Sequence, residues 1–127
     1  MSRTRRLAAA AVALGVMLGA GTAGAGVHKK KPTAKRATLV ATVADPLTIS
    51  LTKGGRKVNA LKAGTYVIVV RDRASDHDFH LTGPGVDKVT SVAGKGTARW
   101  RVTLVKGTYD YVCDPHASFM KGSFTVS

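Results

Sequence analysis

The chain has 127 residues, a single cysteine, 20 Lys and Arg against seven acidic residues, and a formal net charge of +13. A lone cysteine excludes a disulfide framework, and a chain of this length supports one hydrophobic core. The charge calls for acidic surroundings, yet no helical basic stripe or aromatic-basic strand motif of a nucleic-acid module is present.

The first residues read MSRTRRLAAAAVALGVMLGAGTAGAG, with Arg3, Arg5 and Arg6 ahead of an apolar run from Leu7 to Ala20, and Ala23 and Ala25 spaced as an A-x-A cleavage site. Residues 1–25 are expected to be a secretory signal peptide. An uncleaved anchor is the alternative, although the run is short for a membrane span. Arg5 and Arg6 resemble a twin-arginine pair but precede Leu7 and Ala8, without the usual bulky apolar pair, and no cysteine stands at the cleavage site to take a lipid. Residues 26–37 contain HKKKPTAKR, a polar basic stretch with Pro32 and no apolar period, read as a flexible arm. That arm is either a solvated tether or an electrostatic contact to anionic lipid headgroups or acidic wall polymer. Cleavage after Ala25 removes three arginines and leaves a mature chain of about +10.

From Thr38 onward the pattern changes to short β-branched runs divided by glycine. TLVATV, LTISL, TYVIVV, DFHL, TARWRVTL, TYDYVC and SFTV read as strands, and KGGRK, KAG, TGPGVD, AGKG and VKG as turns. The expected fold of residues 38–127 is all-β, a Greek-key antiparallel β-sandwich of about seven strands. LKAGTY (Leu61–Tyr66) and LVKGTY (Leu104–Tyr109) echo each other as glycine turns feeding strands, and Tyr109 fits a tyrosine corner.

Alternation points Ala98, Trp100, Val102 and Leu104 inward, with Arg99, Arg101 and Thr103 outward, and groups Tyr109, Tyr111 and Cys113 on one inner face. Cys113 at a strand end is either an inert core thiol or a ligand. Its neighbours favour a ligand, because His116 and Met120 follow on the same short loop and bring soft donors that suit both copper oxidation states. A second imidazole is offered by SDHDFHL. His77 shares the parity of the apolar Phe79 and Leu81, whereas His80 faces away and reads as a surface histidine near the site.

Taken together, "HDF" at a strand start, "GTY" before the last-but-one strand and "C-x-P-H" followed by a methionine resemble the cupredoxins, the small blue copper proteins that include plastocyanin, pseudoazurin, amicyanin and azurin. The resemblance covers about Thr38 to Ser127. It implies a type 1 copper held by His77, Cys113 and His116, with Met120 as a weak axial ligand. Asp78 stands where the family usually has Asn, which leaves its backbone N–H available to the cysteine sulfur, and Pro115 offers no N–H there. The loop mixes a plastocyanin-like Cys-to-His spacing with an azurin-like His-to-Met spacing.

The implied function is one-electron transfer by an exported, non-enzymatic monomer, with the edge of His116 as the electron port and Phe119, Ala117 and Pro84 lining it. Net charge suggests an acidic redox partner. A copper storage, scavenging or delivery module uses the same ligands without shuttling electrons, and a charged sandwich that binds an acidic polymer is a third reading. A terminus beginning at Gly26, Val27 and His28 would offer a second, weak Cu(II) site of nitrogen donors.

Overall fold

The computed structural model describes residues 35–127, together with Gly21, Gly24 and Gly26. The expected signal peptide apart from Gly21 and Gly24, most of the basic arm, and Val27 and His28 of the expected second copper site lie outside the described residues. Residues 35–127 pack as one unit.

Ten strands follow in order: β1 (Ala37–Ala44), β2 (Thr48–Lys53), β3 (Arg56–Lys57), β4 (Ala60–Leu61), β5 (Gly64–Asp72), β6 (His80–Gly83), β7 (Val86–Val89), β8 (Gly96–Leu104), β9 (Gly107–Val112) and β10 (Lys121–Val126). They form two five-stranded sheets, β3-β2-β1-β5-β8 and β4-β10-β9-β6-β7. All seven strands expected from the sequence are present. Two of the other three are only two residues long, and β7 occupies the end of a stretch that reads as a turn, since Pro84 and Gly85 conceal a short hairpin. The sandwich is built mainly from antiparallel pairs, but β1 runs parallel to β5 and β10 parallel to β4.

The period-2 pattern explains the core. Along β1, Leu39, Ala41 and Val43 are fully buried and their neighbours less so; along β8, Arg99, Arg101 and Thr103 face water while Val102 and Leu104 are buried. On the inner face of one sheet Tyr109 of β9 stacks on its β10 partner Phe124, and Phe79, just ahead of β6, stacks on Tyr111 of β9.

The echoed turns share one device. Tyr66 Oη donates to Lys62 O at 2.7 Å. Tyr109 Oη accepts the Val105 N–H at 3.0 Å and donates to Pro84 O at 2.9 Å, with Val105 O at 3.2 Å. In both turns the hydroxyl ties to the residue four positions upstream, around a glycine of positive φ, Gly64 or Gly107. Tyr109 is the expected corner residue, and Tyr66 is a second one.

Strand direction gives the sandwich two ends. The C-termini of β1, β5 and β9 point to one end, where the loops after them carry Asp45, His77 and Cys113. The starts of β1 and β5, the β2–β3 turn and the β8–β9 turn lie at the other.

Candidate metal centre

Cys113 leaves β9 at full burial and begins a loop closed at its neck by a bond from Cys113 N–H to Met120 O at 2.9 Å. A single 3-10 turn over Asp114–His116 follows, and Pro115 suits its start because no N–H is needed there. Within the loop, His116 N–H donates to Cys113 O at 3.0 Å, and the N–H groups of Phe119 and Met120 both donate to His116 O at 2.9 Å. These bonds set where His116 can point. Met120 is fully buried at the neck, while Phe119 is 78% exposed beside His116.

His77 arrives on the β5–β6 loop and is 1% exposed. Its burial is not a matter of strand parity, since β6 begins only at His80 and residues 77 to 79 are all buried. Its Nδ1 lies 3.1 Å from His116 Nδ1, and Cys113 Sγ lies 3.7 Å from the first and 3.6 Å from the second. The centre of such a triangle is about 2 Å from each corner, the length of a bond from imidazole or thiolate to a first-row metal. Two imidazole nitrogens and a thiol converge here, His77 and Cys113 buried and His116 half-buried, and form a soft donor set that fits copper.

The shell around the sulfur is also built. Asp78 N–H points at Cys113 Sγ from 3.5 Å, as expected of that backbone group, and Asp78 Oδ1 accepts the Asp114 N–H at 2.6 Å. The Asp78 side chain thus ties the β5–β6 loop to the ligand loop. Burial pushes the Asp78 carboxyl up, with the Asp114 charge adding to it against the lowering effect of the Asp114 N–H. Burial likewise pushes the Cys113 thiol up, partly offset by N–H groups of Asp78 and His116. A metal at the triangle would favour the thiolate.

His80 is outside the triangle. Its Nδ1 meets the Asp114 carboxylate at 2.9 Å and its Nε2 meets Asp87 at 2.8 Å. Burial by itself would lower its pKa, but the bonds and charges of Asp87 and Asp114 hold it above the ordinary histidine value. It braces β7 and the ligand loop rather than lying idle on the surface. Pro84 is not in the His116 patch: it packs over Gly107 at the start of β9, at the opposite end of that strand from Cys113. The resemblance places Pro84 at the port, but it follows the C-terminal end of β6, which runs away from the triangle.

Two carboxylates escape sequence reading. Asp45 Oδ1 lies 3.3 Å from His77 Nε2, and Asp76 Oδ1 lies 3.8 Å from it, while that buried nitrogen has no hydrogen bond of good geometry. Both contacts are electrostatic ones, not hydrogen bonds. Asp76 could have been suspected from its adjacency to His77, but Asp45 is 32 positions away and carries no local pattern.

A family model described as copper binding proteins of the plastocyanin/azurin family matches residues 57–127, more than half of the chain and every donor above. Among solved structures, a rusticyanin mutant is 20% identical, with 75% of this chain and 80% of that one covered, at a TM-score of 0.56. Rusticyanin from Thiobacillus ferrooxidans is 20% identical, with 75% and 79% covered, at 0.52. Dithionite-reduced auracyanin from the photosynthetic bacterium Roseiflexus castenholzii is 18% identical, with 72% and 97% covered, at 0.51. No curated protein gives a significant match. The structural likeness supports the sandwich and the family model spans the donor loops; the chain belongs to the plastocyanin/azurin family of copper-binding proteins, the cupredoxins.

Proposed function

We propose that this protein is an exported blue copper protein that carries single electrons between redox partners, with His77, Cys113 and His116 as the principal ligands and Met120 as the axial one. The observation that carries the reading is the triangle of two Nδ1 atoms and one Sγ, with edges of 3.1 to 3.7 Å. Copper bound there would supply a couple between Cu(I) and Cu(II).

The chain's own part is to hold the donors still. The Cys113–Met120 neck bond and the Asp78–Asp114 bond fix the ligand loop from both sides, so little has to move when the charge at the site changes by one. The Asp78 N–H steadies negative charge on sulfur. His116 is partly exposed beside Phe119 and Ala117, both open to solvent, which suits an electron port of the small size used by transient redox encounters. Rusticyanin is a copper protein, and both it and auracyanin have been solved in reduced form; the reading extends redox cycling to this chain. Export rests on the leader sequence. A copper enzyme would need further histidine-rich sites, and of the four histidines in the chain two are already placed in the triangle.

Voltammetry of the copper-loaded chain tests the proposal. A reversible one-electron wave with copper retained over many cycles is expected. Irreversible reduction, with copper passing readily to an acceptor apoprotein, would favour delivery of the metal instead.

A further inference from the structure

At the end of the sandwich away from the triangle, a cleft of about 440 Å³ opens between the β2–β3 turn and the segment leading into β5. Its walls carry Lys53, Arg56, Lys57 and Lys62, all exposed, over the buried Val58 and Leu61. No acidic side chain lines it, Ser127 with its main-chain carboxylate also stands in its wall, and among the described residues none of the four cations forms an ion pair.

The surrounding charge is as one-sided. Lys35 and Arg36 lie exposed just ahead of β1, which starts at this end, and Lys106 sits on the β8–β9 turn beside it. The Asp residues are elsewhere. Asp45, Asp72, Asp76, Asp78 and Asp114 cluster toward the triangle, and Asp87 and Asp110, both opposite Thr82, lie midway, with the Asp87 carboxylate reaching His80. Toward the triangle, Lys and Arg are matched by these carboxylates, so the positive excess of the domain is concentrated at the cleft. The nine residues of β5 separate the two ends by about 26 Å. The net charge that suggested an acidic redox partner therefore faces away from the His116 port.

We propose that this basic end is a docking surface for anionic membrane lipid, with the headgroup phosphates seated among Lys53, Arg56, Lys57 and Lys62. Lipid is the occupant favoured by the path of the chain. The residues entering β1 at this end come from HKKKPTAKR, and before it from the apolar run 7–20, which is directed to a membrane whether or not it is later cleaved. Docked this way, the domain turns His116 and Phe119 outward to a partner in solution. The inference stands without the copper chemistry, since the cleft shares no residue with the triangle.

The test is co-sedimentation of the full chain, free of copper, with vesicles of phosphatidylcholine alone or with phosphatidylglycerol added. Two quadruple variants remove equal charge: Lys53→Gln, Arg56→Gln, Lys57→Gln and Lys62→Gln in the cleft, and Arg73→Gln, Lys88→Gln, Lys95→Gln and Arg99→Gln outside it. All eight positions are exposed, so both variants should fold, which circular dichroism checks. The expected result is a preference for the anionic vesicles that weakens at least about tenfold in the cleft variant and stays within about twofold in the other. Equal losses in both would overturn the site in favour of bulk charge. Indifference of the wild type to phosphatidylglycerol would overturn lipid docking altogether, and binding to soluble poly(glycerol phosphate) in place of vesicles would assign the cleft to a polymer. None of these outcomes alters the voltammetry, so failure here is separable from failure of the electron-transfer reading.

Discussion

Asp45 Oδ1 stands 3.3 Å from Nε2 of His77, on the side of the ring opposite the triangle. A carboxylate there favours the tautomer with its proton on Nε2, which leaves the Nδ1 lone pair free to face Cys113 and His116. Its charge also stabilises the more positive metal state. Asp45→Asn is expected to raise the reduction potential by roughly tens of millivolts, a screened effect because Asp45 is 70% exposed. Voltammetry at low and high salt checks this. An unchanged potential at low salt would leave Asp45 as a turn residue only.

Met120→Leu tests the axial position. Met120 is fully buried, and a swap of similar volume should cost under about 1.5 kcal/mol of stability. Loss of a weak donor disfavours Cu(II) more than Cu(I), so the colour should persist while the potential rises. A potential identical to wild type would make Met120 a core residue without a ligand role.

Tyr109→Phe removes one hydroxyl and leaves the Val105 N–H and Pro84 carbonyl to find other partners. Denaturant unfolding should show a loss of about 1–3 kcal/mol. The visible spectrum should not change, because the corner lies at the other end of β9 from Cys113. A shifted spectrum with normal stability would contradict that separation.

His80 gives the fold a pH dependence. Its folded pKa is raised, so its contribution to stability is fully present below the unfolded value of about 6.5 and is lost as pH rises through the folded value. In the metal-free protein, His80→Gln should therefore destabilise more at about pH 5.5 than at about pH 9. Chemical denaturation at the two values measures the difference. A larger cost at the alkaline value would mean that the Asp87–His80–Asp114 brace does not act as a charged bridge.

Much of this was legible because it is local. Seven of the ten strands show in the β-branched runs, the inward faces of β8 and β9 in their alternation, and Cys113, His116 and Met120 in one loop whose short spacing leaves few ways to arrange them. Parity along SDHDFHL favours His77 over His80, and His77 does lie beside Cys113 and His116, but for another reason: it sits on a loop ahead of β6, buried by its neighbours. What was not legible depends on pairing between distant segments. The parallel β1–β5 register, the Asp45 contact with His77, the brace through Asp87 and the removal of Pro84 from the port all follow from which strand lies beside which, and no local pattern encodes that. The separation of charge is of the same kind, since composition gives a total and only strand direction gives its distribution.

The visible spectrum of the oxidised, copper-loaded protein tests the central claim most directly. A short copper–thiolate bond at Cys113 would give an intense blue absorption that disappears on reduction, is lost in Cys113→Ser and His77→Ala, and survives in His80→Ala. A copper-loaded wild type without that band, or a band retained in Cys113→Ser, would contradict the account.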